Sequence, residues 1–422
     1  MRKKMFLILM LMLIVFMLSN FSFRGCMAIE EVNTPPAIPS NPTPEDKSSD
    51  VSMKPTLLWE SSDPDGDALK FDIYFGTESN PPLVESDLST SVYLPGSLEP
   101  NTTYYWKVVA KDGKGGETEG PVWSFTTEKR KNIIVAVGGS EGIFIFDVSE
   151  LSNPKLIGHF DTDGEAGDVQ VSGNYVYVAD GWNGLAIVDI SDPTKPIQVG
   201  RFDTPGYARA VQLSGNYAYV GDSNSLIIVD ILNSENPKQI GCLKGVSWTH
   251  GIFISGNYTY IADGGHGLII IDVSNPENPK KVGNLNLKEM TYGVYVSSNY
   301  AYVTAGSSGL FIIDVSDPTK PSLVRHFDIF IEAMGIVVSG NYAYIADRSH
   351  GLIIIDVSNP ENPKKVGNLD IDGSANDIYV SGNYAYVADG SNGLVIVDIT
   401  DPTNPVLVTD MLRLTLYGVS GM

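Results

Sequence analysis

From residue 131 to the C-terminus, apolar positions follow a pattern that repeats about every 42 residues. Within this pattern stand short runs that are apolar at every position, such as 268–271 and 352–355. Alternation is typical of a strand with one covered face, whereas a continuous apolar run indicates a strand covered on both faces. Turn sequences rich in Gly, Asn, Asp, Ser and Pro separate the runs. The pattern predicts short antiparallel strands in sheets that bury one another.

One repeat, which starts at Asp168, predicts four strands joined by tight turns. Four antiparallel strands in about 42 residues are typical of one blade of a β-propeller. Because a single blade cannot bury a strand that is apolar on both faces, the blades are predicted to stack against one another.

An aspartate after the third predicted strand marks every copy, and the copies number seven: Asp147, Asp189, Asp230, Asp272, Asp314, Asp356 and Asp398. We expect these side chains to accept backbone N–H groups of the following turn, which is a structural role. The first copy, residues 132–160, lacks a first strand, and residues 416–420 resemble a first strand with nothing after it. The C-terminal strand is therefore predicted to complete the first blade and close a seven-bladed ring over residues 131–422, without open sheet edges.

The repeated phrase Gly-Leu-x-Ile-Val-Asp-Ile resembles the LVIVD repeat of bacterial and archaeal surface proteins. Residues 185–190, 226–231 and 394–399 match it most closely. The resemblance implies a propeller on an exported protein, and it implies no defined reaction.

Residues 48–128 predict a smaller unit of short strands bounded by Gly and Pro, which is typical of an antiparallel sandwich. Trp59, the stretch 98–106 with its Tyr104, and the closing stretch 123–127 resemble a fibronectin type III domain. Such domains mostly act as spacers or adhesive modules. Residues 29–47, rich in Pro, Asn and charge, are interpreted as a linker. The predicted fold class is all-β: an immunoglobulin-like (fibronectin type III) sandwich followed by the seven-bladed propeller.

The N-terminus has the pattern of an export signal. Three basic residues precede the apolar run 5–18, and small residues at Cys26 and Ala28 fit cleavage after Ala28. Residues 1–28 are thus predicted to be a signal peptide, which favours an extracellular or cell-surface location. An uncleaved signal anchor that tethers the protein to the membrane is the alternative, and no other membrane insertion is expected.

The overall charge narrows the range of partners. A net charge of −22 and a pI near 4.5 argue against nucleic acid, which is bound by clustered Lys and Arg. After cleavage Cys242 would be the one remaining cysteine, so folding cannot depend on an internal disulfide.

Differences between the copies indicate where a ligand could bind. At the entry to the first strand the equivalent positions are Gly167, Arg209, His250, Tyr292, Met334, Asn376 and Tyr417. First strands surround the axis of a propeller, so these residues are predicted to ring the mouth of its channel. Loops on the same face carry Trp182, Trp248, His266, Arg348 and His350. Cation, imidazole, amide, phenol and indole groups together suit a protein or polysaccharide ligand. The alternative explanation is that the sequences of these solvated loops differ because nothing constrains them.

A loop in the first unit carries three alternating carboxylates, Asp63, Asp65 and Asp67, on a turn that contains Gly66. Hard cations such as Ca²⁺ prefer several oxygen ligands from one tight loop. A possible calcium site is one interpretation, and a turn between two strands, which the same composition favours, is the other. No other cofactor is predicted.

Three functional hypotheses follow. The first is a non-enzymatic binding or adhesion protein on the cell surface, whose propeller face binds a protein or polysaccharide. The second is a hydrolase or lyase with its site at the channel mouth, although the sequence lacks a nucleophile elbow, a His-Glu-x-x-His helix and a phosphate loop. The third is a structural component of the cell envelope. The sequence predicts no catalytic residues and leaves the oligomeric state open.

Overall fold

The structure is a computed structural model, and it describes residues 32–96, 98–127, 132–328, 332–411 and 414–421. The chain divides between Arg130 and Lys131 into two compact units. The apolar run of the predicted signal peptide lies outside the described residues. In the described part of the chain, no helix has the length and hydropathy needed to span a membrane.

The described residues of the first unit form nine strands in two sheets. The strands are β1 Ser40–Thr43, β2 Ser48–Val51, β3 Leu57–Glu60, β4 Lys70–Gly76, β5 Leu83–Leu88, β6 Val92–Tyr93, β7 Thr103–Lys111, β8 Glu117–Glu119 and β9 Trp123–Thr127. One sheet has the order β1-β3-β6, and the other has the order β2-β9-β7-β4-β5 with β8 paired to β7. Alternate residues of β7 and β9 are buried, which is the pattern of strands with one face on a core.

Aromatic side chains fill the core of this unit. Trp59 lies edge-on to Phe71, with ring centroids 5.3 Å apart, and Trp106 is fully buried beside it. Burying such large rings supplies much of the hydrophobic stabilisation of so small a unit.

The sandwich begins earlier than the sequence predicted. Within the expected linker 29–47, strand β1 pairs with β3, and Asn33 donates a hydrogen bond to the Asp112 carboxylate at 2.6 Å. The Thr118 hydroxyl donates to the carbonyl oxygen of Pro36. The Pro and Asn content that indicated a linker instead belongs to a short edge strand, where Pro costs no ladder hydrogen bond.

The second unit contains seven four-stranded antiparallel sheets. Blade I consists of β10 Ile133–Val137, β11 Ile143–Asp147 and β12 Lys155–Phe160, with β37 Gly418–Gly421; blade II of β13 Asp168–Ser172, β14 Tyr175–Ala179, β15 Leu185–Asp189 and β16 Ile197–Phe202; blade III of β17 Ala210–Ser214, β18 Tyr217–Gly221, β19 Ser225–Asp230 and β20 Lys238–Lys244; blade IV of β21 Thr249–Ser255, β22 Tyr258–Asp263, a 3₁₀ turn Gly264–His266, β23 Leu268–Asp272 and β24 Lys280–Leu285.

The remaining blades have the same order of strands. Blade V consists of β25 Val294–Ser297, β26 Tyr300–Thr304, β27 Leu310–Asp314 and β28 Ser322–Phe327; blade VI of β29 Ala333–Ser339, β30 Tyr342–Asp347, β31 Gly351–Asp356 and β32 Lys364–Leu369; blade VII of β33 Asp377–Ser381, β34 Tyr384–Ala388, β35 Leu394–Asp398 and β36 Val406–Met411. First strands of successive blades contact one another, so they are the innermost strands of the ring.

The C-terminal strand completes blade I, as the sequence predicted. Strand β37 pairs antiparallel with β10, and Val135 lies opposite Ser420 in the ladder. The pairing covers the edge of β10 that the first repeat would otherwise leave open, and it joins the two ends of the propeller into one closed ring.

Third strands are buried between neighbouring blades. Every apolar residue of β23 and β31 is at most 1% exposed, because each of these strands packs against two neighbouring blades. The Tyr177 ring packs between blades II and III. The seven repeated aspartates accept a backbone N–H two residues later, for example Asp189 from Ser191 at 2.7 Å, which confirms their structural role.

Candidate functional site

One face of the propeller surrounds the mouth of a central cavity of about 370 Å³. At or just before the start of each innermost strand, one residue lines this cavity. The seven positions singled out in the sequence all line it: Gly167, Arg209, His250, Tyr292, Met334, Asn376 and Tyr417. Arg348, from the loop between β30 and β31, lines it as well. Seven residues spread over 250 positions of sequence therefore meet around one opening.

Hydrogen bonds fix part of this ring. The Arg348 Nε donates to Asn376 Oδ1 at 3.0 Å, and Asn376 Nδ2 donates to the carbonyl oxygen of Leu416 at 3.1 Å. The amide of Asn376 thus links the loop of blade VI to the entry of β37. A cationic group is held at the mouth in a set position, and its remaining guanidinium donors can serve a ligand.

Two side-chain nitrogens at the mouth lack a partner among the described residues. Arg209 Nε and His250 Nε2 are both buried without a hydrogen bond. Burial, together with the nearby charges of Arg209 and Arg348, lowers the pKa of His250 to about 4. The imidazole is therefore neutral at physiological pH, and its Nε2 can donate to or accept from a ligand oxygen. Unpaired buried polar atoms are costly, and a ligand that satisfied them would recover that cost.

Aromatic rings extend from the cavity across blades V to II. We call this set, Tyr292, His250, Trp248, Tyr207 and Trp182, the aromatic arc. Its successive contacts are His250 to Tyr292 at 5.2 Å, Trp248 to His250 at 6.4 Å and Trp182 to Tyr207 at 5.5 Å between ring centroids. Trp182 is 74% exposed and Trp248 is 52% exposed, so the arc ends on the open surface.

The Arg209 guanidinium joins the two halves of the arc. Its Cζ lies 4.8 Å from the ring centroid of Tyr207 and 4.8 Å from that of Trp248. The Tyr207 hydroxyl in turn donates to Glu165 at 2.5 Å, and burial with this contact raises the pKa of Tyr207 to about 12. Cation–π contacts and this hydrogen bond hold the rings in place before any ligand arrives.

Two predicted histidines neither line the cavity nor belong to the aromatic arc. His266 Nδ1 lies 3.2 Å from Asp263, and His350 Nδ1 lies 3.0 Å from Asp347, each at the end of a second strand. Both histidines are about half exposed and neither lines the cavity, so the structure does not bring them together with the channel residues.

Among the cavity residues that the sequence reasoning missed are two carboxylates, Asp168 and Asp377. Both stand one position after the residues of the mouth, at the start of β13 and β33. Burial raises the pKa of Asp168 to about 7, with a further contribution from Asp377, and burial raises the pKa of Asp377 to about 6. Comparing the seven copies one position further along would have found them.

In the first unit the three loop aspartates lie together. One oxygen of each of Asp63, Asp65 and Asp67 lies within 4.8 Å of the others. Asp63 Oδ1 accepts the N–H groups of Asp65 and Asp67, and Lys114 Nζ lies 2.7 Å from Asp67 Oδ1. Carboxylate oxygens are the ligands that Ca²⁺ prefers, and Asp63 Oδ2 and Asp67 Oδ2 are buried without a partner. The donor set fits a hard cation that competes with the Lys114 ammonium group.

The seven blades, the closed ring and the lined channel define this class of protein as a β-propeller. The chain belongs to the LVIVD repeat family, whose model matches residues 135–162, 163–204, 205–242, 248–286, 290–329, 332–371 and 372–412. No curated protein sequence matches the chain significantly.

Two solved structures with a TM-score of 0.50 or more share the fold at low sequence identity, and a third is similar at a lower score. The computationally designed Ika8 protein is 13% identical with a TM-score of 0.53, over 68% of this chain and 87% of its own. A chain of the mitotic checkpoint complex is 13% identical with a TM-score of 0.50, over 60% of this chain and 80% of its own. AztD of Citrobacter koseri is 16% identical with a TM-score of 0.46, over 75% and 94%. Likeness at this level extends to the fold alone.

Proposed function

We propose that this protein is an exported, cell-surface binding protein whose propeller binds a polysaccharide chain along the aromatic arc. The observation that carries the proposal is the run of rings from the exposed Trp182 to Tyr292 at the cavity. Sugar rings present flat apolar faces edged with hydroxyl groups, and aromatic rings stack on such faces at a small cost in conformational entropy.

Polar groups beside the arc suit hydroxyl groups. Arg209 Nε offers a donor without a partner, and His250 Nε2 offers either a donor or an acceptor. A site built to hydrogen-bond hydroxyl groups discriminates strongly against ligands that lack them, because its buried polar atoms are then left unpaired. The net charge of −22 favours an uncharged or cationic chain over a polyanion.

The experiment is a glycan array with the full chain, followed by calorimetry of the best oligosaccharide. Trp182→Ala and Trp248→Ala should each weaken binding at least about tenfold, which corresponds to about 1.4 kcal/mol. Leu232→Ala is the matched control: Leu232 is 75% exposed but follows β19, on the face opposite the arc. Unchanged affinity in both tryptophan variants would overturn the proposal, and so would binding of a protein by the same residues in the absence of any glycan signal.

The same experiment separates binding from catalysis. If the oligosaccharide is cleaved on incubation, and Arg209→Ala, His250→Ala and Tyr292→Ala abolish the cleavage, the protein is a hydrolase or lyase with its site at the channel mouth. An unchanged oligosaccharide after long incubation supports binding alone. Recovery of the protein in an envelope lattice without glycan affinity would instead support a structural role.

The first unit is proposed to be a fibronectin type III-like spacer. Three features support this: the order of strands in its two sheets, the buried Trp59, and the Tyr104 hydroxyl, which accepts the N–H of Glu99 at 3.1 Å. A tyrosine that accepts a backbone N–H a few residues upstream resembles the tyrosine corner of such sandwiches. Tyr104→Phe should lower the stability of this unit by about 1 kcal/mol, measured by denaturation of the full chain. A Tyr104→Phe variant of unchanged stability would argue against a tyrosine corner.

Export is proposed from the N-terminal pattern. Cleavage after Ala28 should give a mature protein that begins at Ile29, which mass spectrometry of the secreted or surface fraction would detect. A full-length mass in the membrane fraction would instead indicate an uncleaved signal anchor.

A further inference from the structure

Two of the seven innermost strands begin with a carboxylate. Asp168 and Asp377 directly follow the mouth residue in blades II and VII, and the other five blades carry small residues at the same position: Ala210, Gly251, Gly293, Gly335 and Gly418. Because five blades form the same strand without a carboxylate, the strand itself does not require one. The two aspartates flank blade I, so they lie on the same side of the channel.

Both carboxylates are held in place by backbone groups. Asp168 accepts the N–H of Val169 at 2.7 Å and that of Val211 at 2.8 Å, and Asp377 accepts the N–H of Val419 at 3.1 Å. A carboxylate has about four acceptor sites, so each retains capacity toward the cavity. Among the described residues no Lys, Arg or His forms an ion pair with either group, and their proximity makes each charge less favourable for the other.

The opposite wall of the cavity is apolar. Phe253, Tyr295 and Val337 line it from blades IV, V and VI, and the rings of Phe253 and Tyr295 lie 4.3 Å apart between centroids. On the side of the aspartates the equivalent positions of blades VII, I and II carry Tyr379, Ser420 and Gln170. One cavity of about 370 Å³, a volume typical of small-molecule sites, thus has an acidic, polar wall and an aromatic wall.

We propose that the channel binds a ligand with a protonated amine, which lies between the carboxylates of Asp168 and Asp377 and the aromatic wall of Phe253 and Tyr295. Two partly buried carboxylates without a counter-cation are stabilised by a cation that enters beside them. The face of an aromatic ring attracts an ammonium group as well, so both walls favour the same charge. Nothing in this site requires the aromatic arc, although an amino sugar at the end of a bound chain would place its amine here.

The mouth gives the ligand a direction. Arg209 and Arg348 stand one layer above the aspartates and repel a cation that remains at the opening. The unpaired Arg209 Nε and His250 Nε2 are better matched by oxygen atoms of the ligand. A molecule with hydroxyl or ether oxygens at one end and an amine at the other therefore fits with the amine inward.

Calorimetry of the full chain tests the proposal with matched probes. Benzylammonium should bind, and benzyl alcohol, its neutral counterpart of similar shape, should bind at least about tenfold more weakly. A glucosamine oligomer should bind more tightly than its N-acetylated counterpart. Equal binding of charged and neutral members of both pairs would overturn the proposal, and this comparison needs no variant.

Variants then locate the site and separate the two sources of the amine. Asp168→Ala with Asp377→Gly installs the residues that other blades carry, and it should abolish the preference for benzylammonium. Asp168→Asn with Asp377→Asn, which keeps an acceptor for the backbone N–H groups, should do the same if the first pair fails to fold. Trp182→Ala should leave the binding of benzylammonium unchanged. If the polysaccharide proposal holds, the same variant should weaken the binding of the glucosamine oligomer. An unchanged preference in the folded double variants would refute the channel site while leaving the aromatic arc untouched.

Discussion

The side-chain carboxylate of Asp168 accepts the backbone N–H of Val211 at 2.8 Å and thereby joins the innermost strands of two neighbouring blades. Asp377 makes the equivalent contact to Val419, across the closure of the ring. The same two groups line the channel, so one pair of residues contributes to both the scaffold and the candidate site. Their titration is therefore expected to affect folding stability and ligand binding together.

Asp168 gives a first prediction on pH. Its folded pKa of about 7 lies above the ordinary value of 3.8, so the folded state binds this proton more tightly than the unfolded state does. Its stabilising contribution is complete below about pH 4 and is lost as the pH rises through about 7. Asp168→Asn should remove this dependence, so that wild type loses up to about 4 kcal/mol more than the variant between pH 4 and pH 8. Urea denaturation across this range measures it, and parallel curves would contradict it.

His250 should show the opposite sign. Its pKa is lowered to about 4 from the ordinary 6.5, so the unfolded state binds the proton first as the pH falls. Stability from the neutral imidazole is present above about pH 6.5 and lost toward pH 4. His250→Gln, which does not titrate, should therefore lose less stability than wild type between pH 7 and pH 4, by up to about 3 kcal/mol. A difference between the two proteins that does not vary with pH would contradict the buried, neutral histidine.

Close packing between blades predicts a sharp glycine effect. A Cβ at Gly283 would lie 2.1 Å from the carbonyl oxygen of Pro318 in the next blade, and this backbone atom has little room to move. Gly283→Ala should lower the free energy of unfolding by about 1–3 kcal/mol. Gly265→Ala is the control, because its nearest neighbour would be 3.9 Å away. Thermal denaturation of both variants makes the comparison. An equal loss of stability in the two variants would indicate that the neighbouring blade moves aside at Gly283 without an energetic penalty.

Closure of the ring predicts the effect of removing β37. A chain that ends at residue 415 loses the ladder between β10 and β37 and exposes the edge of β10. Exposed edges pair with other chains, so the shortened protein should melt earlier and form oligomers in light scattering. Tyr417→Ala, which keeps the strand, should remain unaffected in both measurements. A monomeric truncated protein with unchanged melting would show that the closure is dispensable.

Calcium gives a prediction for the first unit. If Asp63, Asp65 and Asp67 bind Ca²⁺, adding the ion to the full chain should raise the melting temperature of this unit, and a chelator should reverse the effect. Asp65→Asn should abolish the response. Lys114→Gln should strengthen it, because it removes the ammonium group that contacts Asp67 at 2.7 Å. The same melting curve with ion and with chelator would reject the site.

Local repetition is what made the propeller predictable from sequence. Each copy carries its own strands and turns, and the aspartates such as Asp189 accept an N–H only two residues away. Even the closure followed from a count, because a missing strand at one end matched a spare strand at the other. By contrast, β1 was assigned to a linker, because an edge strand of four residues has no repeat and little apolar pattern to mark it.

The sequence by itself determined the seven blades, because the copies agree at a fixed spacing. It also determined the residues that ring the channel mouth, because these stand at equivalent positions where the copies differ. Only the tertiary structure decided which of these residues act together. It joined Trp182 to Tyr292 through rings contributed by four blades, and it left His266 and His350 outside the channel. It also brought Asp168 within electrostatic reach of Asp377, more than 200 residues away in the chain. The physical reason is the closed ring, which makes neighbours of blades at opposite ends of the sequence and buries their charges in one cavity.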